Sequence, residues 1–270
     1  MRSEMIALIQ KDWTAFTANK RLLLTLYIIP VVLTVFLPTI FILTFHFAPQ
    51  ELTELQPLLD KLPSAGENNS LEKMAAGLIF NHLLPVFFLI IPIMAASVMS
   101  PSSFVGEKEK HTLETLLYCP LSLKQIFQAK VLASFLVSMT VSLISFLLMI
   151  TVTETEMYIL SGSFLQLDIL WLPVMLLLSP AISLIAITLI VRFSAKARSV
   201  EDAQQGAVFL ILPVILLIAG QFTGILLVDF YIVLLLSIIS AAVAWLLLHK
   251  AMGALHYDCL LYTSDAADEL

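Results

Sequence analysis

The chain has 270 residues, of which 60% are hydrophobic and only 13% are charged, with a mean hydropathy of +0.98 and a net charge of -6. A soluble domain carries roughly 25% charged residues, so this composition excludes a soluble globular protein. The basic residues form no patch beyond the loops between apolar runs, which argues against nucleic acid as a partner.

The amino-terminal segment, Met1 to Lys20, is predicted to form an amphipathic helix at the membrane surface. Six of its residues cluster around one side: Met5, Ile6, Leu8, Ile9, Trp13 and Phe16. The tryptophan suits the interface between membrane and water. A cleavable signal peptide is excluded, because the first apolar run is too long and starts too late. A fraying leader is the alternative interpretation.

Six apolar runs follow, each close to the roughly 20 residues that a transmembrane helix requires. They cover Leu22 to Phe47, Met74 to Ser100, Val131 to Thr151, Ile169 to Val191, Gly206 to Val228, and Phe230 to Leu248. No Asp, Glu, Lys or Arg falls inside any run. Residues 1–258 are therefore predicted to form one all-α membrane domain with six transmembrane helices.

Seven prolines interrupt these runs and are predicted to kink the helices, because each removes a backbone donor. They are Pro30, Pro38, Pro85, Pro92, Pro173, Pro180 and Pro213.

Lysine and arginine determine the predicted orientation. Eleven of the fourteen basic residues lie in the amino-terminal segment, the loop between spans two and three, and the loop between spans four and five. Both termini are therefore predicted to be cytoplasmic. Two loops on the other side, Ala48 to Lys73 and Val152 to Asp168, are interpreted as solvated connections. Part of the first, Gln50 to Lys61, is predicted to form a short helix.

The loop between spans two and three contains the most informative segment, Gly106 to Pro120. Its leucines fall at i, i+3 and i+4 and share one helical face: Leu113, Leu116 and Leu117. Its glutamates are predicted to face solvent: Glu107, Glu109 and Glu114. A helix of this kind either lies among lipid headgroups or docks onto a soluble partner.

The sequence offers no pattern for catalysis, metal binding or nucleotide binding. It contains no His-Glu-x-x-His, no arguable Ser-His-Asp arrangement and no Gly-x-x-x-x-Gly-Lys loop. The polar residues inside the apolar runs include His46, Asn81, His82 and Gln221. Ion-coupled transporters usually need ionisable groups inside the membrane. The apolar core therefore argues against a stand-alone secondary transporter or channel, although that class stays open.

The last residues are predicted to lie outside the membrane domain. Cys259 to Glu269 resembles the translation of a transposon-end adapter used in preparing sequencing libraries. Residues 259–270 are therefore interpreted as an adapter artefact that begins near Asp258, and a real polar tail is the alternative. Cys119 lies in a predicted cytoplasmic loop, where a structural disulfide is not expected.

Taken with these features, the chain resembles the permease subunit of a type-2 ABC transporter over residues 1 to about 258. The most specific match is a cytoplasmic motif: Glu107-Lys-Glu109, Thr112-Leu113-Glu114, Leu116-Leu117 and Pro120. The family often has glycine just before the threonine, where this chain has His111. A second match, from Arg198 to Gln205, leads into the fifth span.

The resemblance implies that Gly106 to Pro120 forms a coupling helix, which sits in a groove of a separate cytoplasmic ATPase. It implies these coupling residues: Glu107, Glu109, Thr112, Leu113, Glu114, Leu116 and Leu117. ATP would be bound and hydrolysed on the partner, so this chain would carry no cofactor and no catalytic residue. Two permeases and two ATPases would form an exporter in the plasma membrane. The remaining alternative is a membrane scaffold that recruits a cytoplasmic partner without transport.

Overall fold

The computed structural model describes residues 2–47, 71–109, 121–162, 164–165, 167–194, 197, 199–206, 208–223 and 229–253. All regular structure within these ranges is helical, which confirms the all-α fold class. The predicted short helix at Gln50 to Lys61, Cys119 and the tail 259–270 lie outside the described residues.

The α-helices of the described residues are α1 (Arg2–Ala18), α2 (Lys20–Val31), α3 (Leu37–Phe47), α4 (Leu71–Leu78), α5 (Leu84–Phe88), α6 (Ile90–Glu109), α7 (Leu123–Ser161), α8 (Trp171–Pro173), α9 (Ser179–Ser194), α10 (Val200–Gln205), α11 (Val208–Phe222) and α12 (Phe230–Gly253). Short π-helical segments join some of them: Val32–Phe36, Ile79–Leu83 and Val174–Leu178.

Six helical stretches of the described residues are long and apolar enough to cross a membrane, in agreement with the six predicted runs. They are Leu22–Thr44, Met74–Glu107, Leu123–Leu160, Trp171–Ser194, Val200–Phe222 and Phe230–Gly253. These stretches extend past several predicted runs and include charged residues such as Lys130 and Arg192. The predicted runs themselves hold no charged residue, but the helices continue past them into charged residues that have partners or lie near helix ends.

The second span forms the centre of the bundle. In its most apolar window 83% of residues are buried, against 12% for the fifth span and 17% for the sixth. This span ends in α6, which packs against α7 and α9, while α9 also packs against α12. Large apolar side chains cover the outer surface, for example Leu24, Phe209 and Tyr231, at 65%, 75% and 76% exposure. Such a surface suits lipid rather than water.

The π-helical segments lie beside predicted proline kinks. The first lies between Pro30 and Pro38, the second just before Pro85 and the third just after Pro173. A proline cannot donate the regular i→i−4 hydrogen bond, so the helix around it must adjust its pattern. In the first segment the buried Thr34 hydroxyl donates to the Pro30 carbonyl at 2.7 Å.

α7 is much longer than the predicted third run. A capping box formed by Ser122 and Gln125 starts the helix, which reaches Ser161 before Gly162 ends it with a φ of 63°. A positive φ of this kind favours glycine, which has no Cβ to clash.

The predicted loop from Val152 is therefore largely helical, and this expectation is wrong for residues 152–161. Two of its three acidic side chains, Glu154 and Glu156, lie on α7 and have partners outside that helix. Glu154 accepts a hydrogen bond from the Leu165 amide at 3.2 Å, and Glu156 accepts one from the Thr39 hydroxyl at 2.5 Å. Charged residues in this stretch favoured a loop in the sequence analysis. The hydrogen bonds to Glu154 and Glu156 stabilise their charge, so the helix continues through them.

Candidate functional site

The predicted coupling segment begins on α6 and continues beyond it. Gly106 to Glu109 form the last residues of α6. Five predicted coupling residues lie outside the described residues: Thr112, Leu113, Glu114, Leu116 and Leu117. We call the end of the bundle that holds α1, the end of α6 and the start of α7 the α1 end.

A charge cluster lies at the α1 end and consists of Lys11, Asp12, Ser103, Glu107 and Lys130. The Lys130 Nζ lies 2.9 Å from Glu107 Oε2 and 3.8 Å from Asp12 Oδ2. Lys11, which is 54% exposed, donates to Glu107 Oε1 at 2.7 Å. Two ammonium groups therefore balance two carboxylates, and the contacts join α1, α6 and α7.

The centre of the charge cluster is buried. The side chain of Lys130 is 2% exposed, that of Asp12 8% and that of Glu107 10%. Lys130 also donates to the Ser103 carbonyl at 2.5 Å, and its Nζ lies 5.5 Å from the centre of the Phe104 ring. The Ser103 hydroxyl donates to Asp12 at 2.8 Å. These partners replace the water that buried charges lose.

The solvent exposure predicted for Glu107 is wrong. Its carboxylate is held by two lysines of the same chain, both distant in sequence, so spacing within the segment did not reveal them. The sequence of α1 did contain one indication of a buried charge. Asp12 falls four residues after Leu8 and four before Phe16, so it lies on their helical face, and all three residues are buried.

Glu109 joins α6 to α10. It is exposed as predicted, and its Oε1 accepts a hydrogen bond from the Val200 amide at 2.9 Å. Nearby, Val105 of α6 packs in one apolar cluster with Ala203 of α10. The end of α6 is therefore in contact with the helix that leads into the fifth span.

A seam of buried serines that the sequence analysis missed runs along α7. Its members recur at three- or four-residue spacing: Ser134, Ser138, Ser142 and Ser145. The Ser138 hydroxyl donates to the Pro92 carbonyl of α6 at 3.0 Å and accepts from the Ser183 hydroxyl of α9 at 3.0 Å. Small residues at this spacing let helices approach closely within a membrane.

Polar residues at the opposite end of the bundle also join helices. The Gln221 amide donates to the His82 carbonyl at 2.9 Å, and Asn81 accepts from the Asp168 amide at 3.1 Å. Among the described residues, no group of three or more His, Cys, Asp or Glu side chains is placed to hold a metal ion. The polar contacts found at both ends hold the bundle together.

Comparison with known proteins identifies one family. A family model described as ABC-2 type transporter matches residues 3–223, which is well over half of the chain. The match runs from α1 to the end of α11 and includes the charge cluster, the predicted coupling segment and the serine seam. No curated protein and no solved structure matches the chain.

Proposed function

The chain belongs to the ABC-2 type transporter family as a membrane permease, and we propose that it exports a substrate with energy from a separate ATPase. ATP is bound and hydrolysed on that partner. Two permeases and two ATPases form the assembly in the plasma membrane, with both termini of this chain in the cytoplasm. The lysine and arginine asymmetry of the loops supports this orientation.

One observation carries the proposal: the most buried span of the bundle ends at the coupling segment. The second span runs from Met74 to Glu107, with 83% of its apolar window buried. The coupling segment begins at Gly106, within the last turns of α6. A displacement of the segment by the ATPase therefore acts on the centre of the bundle rather than on a peripheral helix.

Within the segment, the leucines and the glutamates have different roles. The leucine face, Leu113, Leu116 and Leu117, provides the apolar anchors in the ATPase groove, and Glu114 pairs with basic groups there. Interfaces of this type concentrate their binding energy in a few buried residues. Glu107 is already held by Lys11 and Lys130. It therefore connects the segment to the bundle and does not reach the ATPase.

Association with the ATPase tests this proposal. Leu116→Asp places a charge among the apolar anchors, and the cost of burying it is expected to exceed about 2 kcal/mol, a reduction in affinity of more than roughly thirtyfold. Phe164→Asp is the matched control, because Phe164 is 71% exposed and lies beyond the far end of α7. Copurification of the ATPase with each variant, inserted in membranes at equal levels, is the measurement.

We expect Leu116→Asp to lose the ATPase and Phe164→Asp to retain it. Equal copurification in both variants contradicts the docking role and favours a helix that lies passively at the membrane surface. An ATPase that binds but drives no transport supports the alternative of a scaffold.

A further inference from the structure

We propose that the charge cluster is a joint that makes α1, and with it the first span, move together with the end of α6. In this role Lys11 and Asp12 are positioning residues, which act through Glu107 and Lys130 without touching substrate or nucleotide. The inference rests on the proposed function, because the ATPase supplies the displacement that the joint passes on.

Three helices meet in the joint through side chains that are far apart in sequence. The Ser103 hydroxyl donates to Asp12 at 2.8 Å, and Lys11 donates to Glu107 at 2.7 Å. Two consecutive residues of α1 thus contact two residues of α6 that lie one turn apart. Lys130 of α7 is placed between the carboxylates, 2.9 Å from one and 3.8 Å from the other.

α1 passes almost directly into the first span. It ends at Ala18 and α2 begins at Lys20, with only Asn19 between them. The Asn19 side chain accepts from the Leu22 amide at 3.3 Å, and its carbonyl accepts from the Leu23 amide at 3.0 Å. Because this connection is short and hydrogen-bonded, a displacement of α1 moves the start of the first span.

The ionic character of the contact favours a joint over simple packing. A buried ion pair adds little stability compared with well-packed apolar side chains, whereas breaking one leaves an uncompensated charge. Lys130 is 2% exposed, so it has no water to replace its partners while the helices stay in place. Neither α1 nor α7 is therefore free to separate from α6 at this point without a large cost.

The test uses the full chain in complex with the ATPase that copurifies with it, and ATP with orthovanadate as the probe that traps a nucleotide-bound state. Both native cysteines are first replaced, by Cys119→Ser and Cys259→Ser. Spin labels are then attached at Ile6→Cys on α1 and at Tyr231→Cys, at the start of α12 and away from the α1 end, so that their distance reports the position of α1. Both labelled positions are exposed, at 60% and 76%. We expect the distance between the labels to change when the nucleotide is trapped.

The main variant combines Lys11→Gln with Asp12→Ala. It removes one charge of each sign from α1 and leaves the buried pair of Lys130 and Glu107 balanced. We expect this variant to insert, to bind the ATPase and to lose the distance change. Lys11→Arg, which keeps the charge, and Lys124→Met, which removes an exposed lysine of α7, are expected to retain it. A second double variant, Lys130→Met with Glu107→Gln, removes the charges that α7 and α6 contribute to the joint. It should also abolish the distance change.

The outcomes separate the joint from the proposed function. A distance change that persists in the Lys11→Gln and Asp12→Ala variant, with the ATPase bound, means that the cluster serves folding alone and overturns the joint. A parent complex that hydrolyses ATP without any change in distance also overturns it and leaves the proposed function standing. A parent that binds no ATPase overturns both. Should the main variant fail to insert, the second double variant decides by the same criterion.

Discussion

Lys130 and Glu107 form an ion pair of 2.9 Å in which the lysine side chain is only 2% exposed. The lysine belongs to the first turns of α7 and the glutamate to the last turn of α6. The pair therefore joins the helix that precedes residues 110–120 to the helix that follows them.

The first prediction concerns the stability of this pair. Lys130→Met removes the buried ammonium that lies beside the carboxylates of Asp12 and Glu107, while Lys11, 54% exposed, remains. We expect the free energy of unfolding to fall by about 3–5 kcal/mol, the usual cost of removing one partner from a buried ion pair. Lys124→Met, on the exposed face of the same helix, is the control and should cost less than about 0.5 kcal/mol. Unfolding in mixed detergent measures both, and equal effects contradict the burial of Lys130.

The second prediction concerns the link between α6 and α10. Glu109→Ala removes the acceptor of the Val200 amide, which lies 2.9 Å from Glu109 Oε1. A net loss of about 1 kcal/mol should make exchange of this amide roughly fivefold faster, as hydrogen–deuterium exchange can measure. Glu109→Gln keeps an acceptor oxygen and should exchange almost as slowly as the parent. If the alanine variant also exchanges at the parent rate, the contact does not hold α10 in place.

The third prediction concerns the serine seam. Ser138→Ala leaves the Ser183 hydroxyl without its acceptor and removes the side-chain donor to the Pro92 carbonyl. Hydrogen bonds between membrane helices contribute about 0.6 kcal/mol on average, so a loss of this size in unfolding free energy is expected. Ser138→Leu should cost more, because a large side chain separates helices that approach closely at this point. A leucine variant as stable as the alanine variant argues against close packing along the seam.

The fourth prediction concerns orientation. In a background without the native cysteines, Phe164→Cys should react with a membrane-impermeant maleimide on intact cells. Lys124→Cys should react only after the membrane is opened, because the basic loops are predicted to be cytoplasmic. Both side chains are exposed at the surface of the protein, so packing within the protein does not limit either reaction. The reverse labelling pattern contradicts the proposed orientation and the cytoplasmic position of the coupling segment.

The fold was largely predictable because apolar runs of the right length leave few alternatives to membrane helices. The helix ends were less predictable. Glu154 and Glu156 indicated a loop, yet both lie on α7, where the Leu165 amide and the Thr39 hydroxyl accommodate their charge. The partners of a charged side chain decide whether a helix continues, and those partners lie elsewhere in the sequence.

The candidate site was predictable only in part. The coupling segment stays a prediction from its charge and its leucine spacing, because residues 110–120 lie outside the described residues. The burial of Glu107 depends on Lys11 and Lys130, which pattern analysis assigned to the surface helix and to the orientation of the loops. Three helices must be assembled before these side chains meet, so periodicity within one segment carries no information about them.

Mass spectrometry of the intact complex purified through this chain tests whether the permease works with a separate ATPase. We predict a mass that corresponds to two copies of the chain with two copies of an ATPase. The Leu116→Asp variant should yield the permease copies without the ATPase. A parent preparation that contains only copies of this chain, under conditions in which it remains folded and transports its substrate, would contradict the account.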